Sequence, residues 1–180
     1  MIQSRRMFGV LGAALAVSAL AGCQVRPLYS AGPISMSGQD SGMAAELSSI
    51  SIKPVSTRYA QVVRNELIFA FGRGQGEPAA PKYSLTLAVN ARYEASTYRQ
   101  VSKGENEPSS QTMTLTANYV LAKVGDGQEV AKGRRQITSS FDVPRQAFAE
   151  DRARRDAENR AAKELALQLQ LAIAQDLSKR

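Results

Sequence analysis

Tyr83-Ser84-Leu85-Thr86-Leu87-Ala88-Val89-Asn90 is the stretch that decides the fold of this 180-residue chain. Tyr83, Leu85, Leu87 and Val89 fall on one side of an extended backbone, and Ser84, Thr86, Ala88 and Asn90 on the other. A strict period of two marks a strand with one buried face and one wet face, the habit of antiparallel sheets. The run extends toward Tyr98. Downstream, Met113, Leu115, Ala117, Tyr119 and Leu121 alternate with Thr112, Thr114, Thr116 and Asn118 in the same way. Gly125-Asp126-Gly127 then reads as a hairpin turn, and a third strand follows over Glu129–Phe141 with Ile137 and Phe141 on one face and Arg134 on the other. Arg135 shares parity with Ile137, so it is expected beyond the core edge or at a bulge. The polar stretch 101–110 holds Gly104 and Pro108 and reads as a loop.

Working back from Tyr83, Gly72 to Pro81 reads as a loop and Arg58 to Phe71 as a helix capped by Ser56 or Thr57. Tyr59, Val62, Val63, Leu67, Ala70 and Phe71 form one face of it, and Gly72 stops it. Ile68 and Phe69 lie off that face; they either widen the buried stripe or touch a partner. Before the helix, Ile50 and Ile52 alternate with Ser49 and Ser51 in a strand over Leu47–Val55 that Pro54 closes. At the other end, Asp142 or Pro144 opens a long helix to about Leu177. Glu150, Asp151 and Asp156 each stand four residues ahead of an arginine, which keeps one face solvated. Ala149, Ala153, Ala157 and Ala161, continued by Leu165, Leu169 and Ile173, form the face that approaches a sheet. The order is β-α-β-β-β-α. The expected class is α+β, with two helices packed on one face of a four-stranded, mostly antiparallel sheet. The other face is left polar and lined by Ser and Thr.

The N-terminus carries an address. Arg5 and Arg6 precede an apolar run from Phe8 to Leu20, and Leu20-Ala21-Gly22-Cys23 contains the chain's single cysteine. This pattern reads as a bacterial lipoprotein signal, with residues 1–22 removed and Cys23 lipidated. The run is shorter than the ~20 residues of a spanning helix. Several acyl chains on Cys23 would anchor the chain stably where one would bind reversibly. Gln24 follows the cysteine; an Asp there would resemble an inner-membrane retention signal, so the outer membrane is expected. Ser4-Arg5-Arg6-Met7-Phe8 fits either a twin-arginine export motif or an ordinary secretory n-region. Residues 23–46, rich in Gly and Ser, read as lipid anchor and flexible tether, and residues 47–180 as a single domain.

Composition narrows the function. The chain has no histidine, and its one thiol is consumed by lipidation, so Ser-His and Cys-His nucleophiles and His/Cys metal sites drop out. Gly72-x-Gly74-x-Gly76 lacks the strand and helix of a phosphate loop and reads as a flexible connection. No enzyme, no metal and no cofactor is expected. The net charge of +7 falls to about +5 without the two signal arginines and permits an anionic partner. No basic run with interleaved aromatics points to nucleic acid. Arg99 and Lys103 in one loop, and Lys132, Arg134 and Arg135 on the last strand, are the candidate groups for lipid phosphates.

Several segments together resemble one family. They are Cys23 followed by Arg26-Pro27-Leu28-Tyr29; Ile50-x-Ile52-x-Pro54; Gln61-Val62-Val63-Arg64-Asn65-Glu66-Leu67; Tyr83-x-Leu85-x-Leu87; Tyr119-x-Leu121; and Arg160-Ala161 with Leu165-Ala166 in the terminal helix. In order and spacing the chain resembles the LptE family of lipopolysaccharide-assembly lipoproteins. The loops 72–81 and 101–110 carry no motif that matches. The resemblance implies a two-helix, four-strand sandwich. It implies an outer-membrane location and a partner, the β-barrel LptD, which family members plug, help to assemble, and assist in delivering lipopolysaccharide. Lipopolysaccharide itself is an implied ligand. The row Thr112, Thr114, Thr116 and Asn118, with Ile68 and Phe69, are the candidate partner contacts. The competing reading is a lipoprotein subunit of another envelope lipid-transport complex that enters no barrel.

Overall fold

The computed structural model of the protein describes residues 40–179. Its elements are helix α1 (Asp40–Ser48), strand β1 (Ile50–Ile52), helix α2 (Arg58–Gly72), strands β2 (Tyr83–Ser102), β3 (Glu105–Lys123) and β4 (Glu129–Asp142), and helix α3 (Ala147–Ser178). The strands form one sheet in the order β1-β2-β3-β4. β1 runs parallel to β2, and the two remaining pairings are antiparallel. The expected α+β order stands, with α1 added in front. The signal segment, Cys23 and the tether up to residue 39 lie outside the described residues.

The alternation around Tyr83 has the predicted effect. Leu85, Leu87 and Val89 are buried with Met113, Leu115, Ala117, Tyr119 and Leu121 of β3, all from one face of the sheet. α2 adds Ala60, Val63, Leu67 and Phe71. α3 adds Ala157, Ala161, Ala162, Leu165, Ala166, Leu169, Ala172 and Ile173. The alanines let α3 lie close against the strands, while the leucines fill the gaps between layers. The α2 stripe is centred on Ala60 rather than Tyr59, which is half-buried.

Three boundaries differ from the sequence reading. β1 begins at Ile50, because Leu47 belongs to α1 and reaches the core from there. α1 thus takes up the last residues of the segment read as tether. α3 begins at Ala147 rather than Asp142 or Pro144: the Val143 N–H donates to Ser109 O at 2.9 Å, and the residue before a proline is held extended. The largest difference is the stretch 101–110, which is no loop. β2 and β3 continue through it and close on a two-residue turn, Lys103-Gly104, where Gly104 takes φ +89. Register shifts near Ser96 and Thr97 seat Tyr98 opposite Pro108, so the proline sits beside an irregularity rather than inside a regular ladder. From Arg92 to Tyr98, β2 is exposed at every position. A strand wet on both faces has no apolar periodicity to betray it.

The outer edge of β1 is closed by side chains. Ile52 N–H donates to Glu77 Oε1 at 2.9 Å, and Arg64 Nε donates to Ile52 O at 3.0 Å. Arg64 Nη2 and Glu77 Oε2 pair at 2.7 Å. The two side chains do what a neighbouring strand would do, and they blunt an edge that could pair with another chain. Arg64→Ala should cost ~1–2 kcal/mol, since the Ile52 carbonyl and the Glu77 carboxylate both lose their donor. The midpoint of urea unfolding measures this, and Arg64→Lys should recover only part because it lacks the planar fork.

Candidate functional site: the open face of the sheet

The face of the sheet away from α2 and α3 is built from the polar half of each alternating strand. Thr112, Thr114 and Thr116 are half-buried there, and Asn118 is exposed. Register sets their neighbours. Thr112 lies between Glu94 and Ser140, Thr114 between Arg92 and Thr138, Thr116 between Asn90 and Gln136, and Asn118 between Ala88 and Arg134. The hydroxyls bond to one another across strands. Ser96 Oγ lies 2.6 Å from Thr112 Oγ1, which lies 3.0 Å from Ser140 Oγ. Thr97 Oγ1 makes a similar contact to Ser110 Oγ at 2.8 Å. Arg92 and Glu94 pair at 2.7 Å and both remain exposed. The result is a broad polar surface whose hydroxyls retain spare lone pairs for an incoming donor.

The basic candidates separate. Lys132 and Arg134 share parity on β4 and face this open side, with Lys132 Nζ 3.1 Å from Glu129 Oε1. Arg135 lies opposite Ala117 and points to the helix-covered side. It is half-buried and donates to Arg134 O at 2.8 Å. The bulge in β4 falls between its pairings with Leu121 and Ala122, away from Arg135. The arginine therefore sits at the sheet margin, the first of the two expected outcomes. Arg99 and Lys103 do not share a loop, because the stretch is a hairpin arm. Arg99, within β2, donates to Glu107 Oε2 at 3.3 Å and to Val143 O at 3.4 Å, tying the arm to the chain before α3. Lys103 stands exposed at the turn. Ile68 packs against the core, and Phe69 is exposed on α2 with its ring beside Gly74.

Two arrangements beneath the open face escape sequence reading. Gly133 lies directly opposite Tyr119 on the covered side, and a Cβ at Gly133 would meet the Tyr119 hydroxyl at 2.6 Å and its ring at 2.7 Å. The ring lies across the glycine to place its hydroxyl 2.7 Å from Asp176 Oδ2 on α3. Burial, then the bond to Asp176, push the Tyr119 phenol up to about 12. On α3, Glu158 is buried and accepts from Tyr93 Oη at 2.8 Å and from Arg58 of α2. Arg58 also donates to Asn159 Oδ1 at 2.8 Å. Burial, then the hydrogen bond to Glu158, raise the Tyr93 phenol above its ordinary value. An acidic residue among the alanines of the buried helix face is the one sequence signal that could have revealed this node.

Among the described residues, no cluster of three or more His, Cys, Asp or Glu side chains could hold a metal ion. No described helix is long and apolar enough to cross a membrane. The surface is fitted to binding through hydroxyls, amides and a few cations.

Comparison with known proteins agrees with this architecture. The LptE family profile, described as Lipopolysaccharide-assembly, matches residues 47–173. A Caulobacter crescentus CB15 protein, solved as a candidate lipoprotein, superposes with a TM-score of 0.62 at 27% identity, covering 78% of this chain and 98% of that one. The rare lipoprotein B from Shewanella oneidensis shares the fold at a TM-score of 0.52 and 12% identity, covering 72% of this chain and 95% of its own. No curated protein matches the sequence. A profile matching from the end of α1 almost to the end of α3, on a sheet and helix order of this kind, places the chain in the LptE family of lipopolysaccharide-assembly proteins.

Proposed function

We propose that this chain is an outer-membrane lipoprotein, anchored through acylated Cys23, that seats its open sheet face inside the LptD barrel. There it assists assembly of the barrel and passage of lipopolysaccharide to the outer leaflet. The observation that carries the reading is the hydroxyl-lined face of β2, β3 and β4, with Thr112, Thr114, Thr116 and Asn118 at its centre. A barrel lumen is polar, and a plug must meet it with hydrogen-bonding groups rather than apolar ones. The reading gives the chain binding and assembly roles and no catalytic step. Lys132 and Arg134, which share that face, are the groups placed to meet lipid phosphates.

Co-expression with LptD tests it. Extraction in mild detergent should recover the barrel with this chain in near-equal amount. Recovery of an ATPase-permease complex in its place would overturn the reading in favour of a different envelope lipid-transport complex. Mass spectrometry should find acyl chains on Cys23 of a polypeptide beginning there. Lys132→Ala combined with Arg134→Ala should weaken lipopolysaccharide binding with little change in melting temperature, since both side chains are exposed. Unaltered affinity in that variant would take these two residues out of the lipid site.

A further inference from the structure

The sheet has three places where another chain could pair, and two are guarded. The β1 edge is clasped by Arg64 and Glu77. The β4 edge carries Lys132 and Arg134, and Arg160 of α3 donates to Ser140 O at 3.2 Å along it. Charged and capped edges resist strand addition. The third place is the side of β2 that β1 leaves bare. β1 pairs only from Ile50 to Ile52, whereas β2 runs on to Ser102. The last bond between them is Lys53 N–H to Leu85 O at 2.9 Å, after which Pro54 turns the chain away toward α2.

Alternation identifies the bare groups. Leu85 O and Tyr83 N face β1, so odd residues of β2 direct their backbone groups to that side and even residues to β3. The N–H and C=O of Leu87, Val89, Ala91 and Tyr93 therefore line an edge with no strand beside it among the described residues. A cleft of about 470 Å³ lies against the first of them, lined by Pro54, Val55, Thr57, Ala60, Leu87 and Val89 among others. Thr57 Oγ1 is buried there with no hydrogen-bond partner. Although Thr57 is the N-cap residue of α2, its hydroxyl makes no cap bond. A row of outward backbone donors and acceptors beside a cleft of mixed lining, apolar at Val55, Ala60, Leu87 and Val89 and polar at Ser56, Thr57 and Asn90, is complementary to one kind of ligand, an extended polypeptide.

We propose that the β2 edge from Leu87 to Tyr93 takes an extended segment of the protein partner as an added strand in line with β1. The segment carries small apolar side chains at every second position, toward Val55, Ala60, Leu87 and Val89, and polar ones between. This rests on the barrel-plug reading for its partner: the segment belongs to LptD. The Arg92–Glu94 pair stands on the open face beyond the cleft and neutralises itself, so it does not repel the incoming backbone.

Residue-resolved amide exchange on the intact chain, alone and in complex with co-expressed LptD, tests this without any substitution. The amides of Leu87, Val89 and Ala91 should slow at least ~tenfold in the complex, while even-numbered neighbours, already bonded to β3, change little. Ala91→Pro removes an outward N–H and no ladder bond, and should lower barrel recovery at least ~tenfold with the sheet still folded. Unchanged odd-residue amides in a complex that does form would overturn the added strand and leave the plug reading standing. Failure of the barrel to copurify with the unaltered chain would overturn both. Protection of these amides in the isolated protein would also overturn the proposal. If independent of concentration, it would mean that the chain covers its own edge; if concentration-dependent, that a second copy does.

Discussion

Gly133→Ala is expected to cost ~2–4 kcal/mol, more than any ordinary surface change on the sheet. The added methyl would fall 2.6–2.7 Å from the Tyr119 hydroxyl and ring. That ring cannot swing aside freely, because it is buried and its hydroxyl is held by Asp176. Relief requires either β4 to separate from β3 or the Tyr119–Asp176 bond to break, and both loosen α3. Thermal melting should show a shift of several degrees, and Gly133→Val a larger one. Tyr119→Phe combined with Gly133→Ala should not restore stability, since the ring carbons alone already clash.

The same tyrosine sets a pH dependence. Its phenol is raised from 10.0 to about 12 in the folded chain. A group whose folded value is raised stabilises the fold fully below its unfolded value and loses that contribution as pH climbs through the folded one. Stability should therefore fall between pH 10 and 12 by on the order of 2 kcal/mol from this group. Tyr119→Phe should remove this contribution to the slope while lowering stability at neutral pH.

Glu158→Ala is the second large effect, ~2–3 kcal/mol. The carboxylate is buried at the junction of α2, α3 and β2, where Arg58 and Tyr93 both donate to it. Removing it leaves two donors without their acceptor and opens a gap between helices. Arg58 is partly exposed and can turn to water, which keeps the cost below that of a fully buried pair. Chemical denaturation of Glu158→Ala, Tyr93→Phe and the double variant should reveal coupling between the two sites.

What could be read in the sequence follows from which surfaces are apolar. β2, β3 and β4 announce themselves between Tyr83 and Phe141 because one face of each meets the core and the other meets water. The hairpin arm around Lys103 is silent because both of its faces are polar, so its period is invisible. α1 is silent for another reason. Asp40, Ser41 and Gly42 are poor helix formers, and the helix is held through Met43 and Leu47 packing on a core that only the folded chain possesses. Gly133 gives no turn signal, since its purpose lies in a tyrosine fourteen positions earlier. The polar row on β3 was legible residue by residue, whereas the separation of Arg134 from Arg135, and of Arg99 from Lys103, needed the register of the ladder.

The position of α3 after the strands that it covers governs how the molecule comes together. A hairpin closed by two residues zips through neighbouring contacts and can form early. The face it presents, from Leu85 across Met113 to Leu121, meets α2 from the preceding part of the chain but is not fully covered until the thirty-two residues of α3 follow. A polypeptide emerging N-terminus first thus carries a sticky, half-covered sheet from the completion of β3 until α3 has followed. A truncation that removes α3 leaves the part of the apolar floor it covers, beside α2, open to water, and such a chain should aggregate or be degraded rather than persist as a weaker version of the protein.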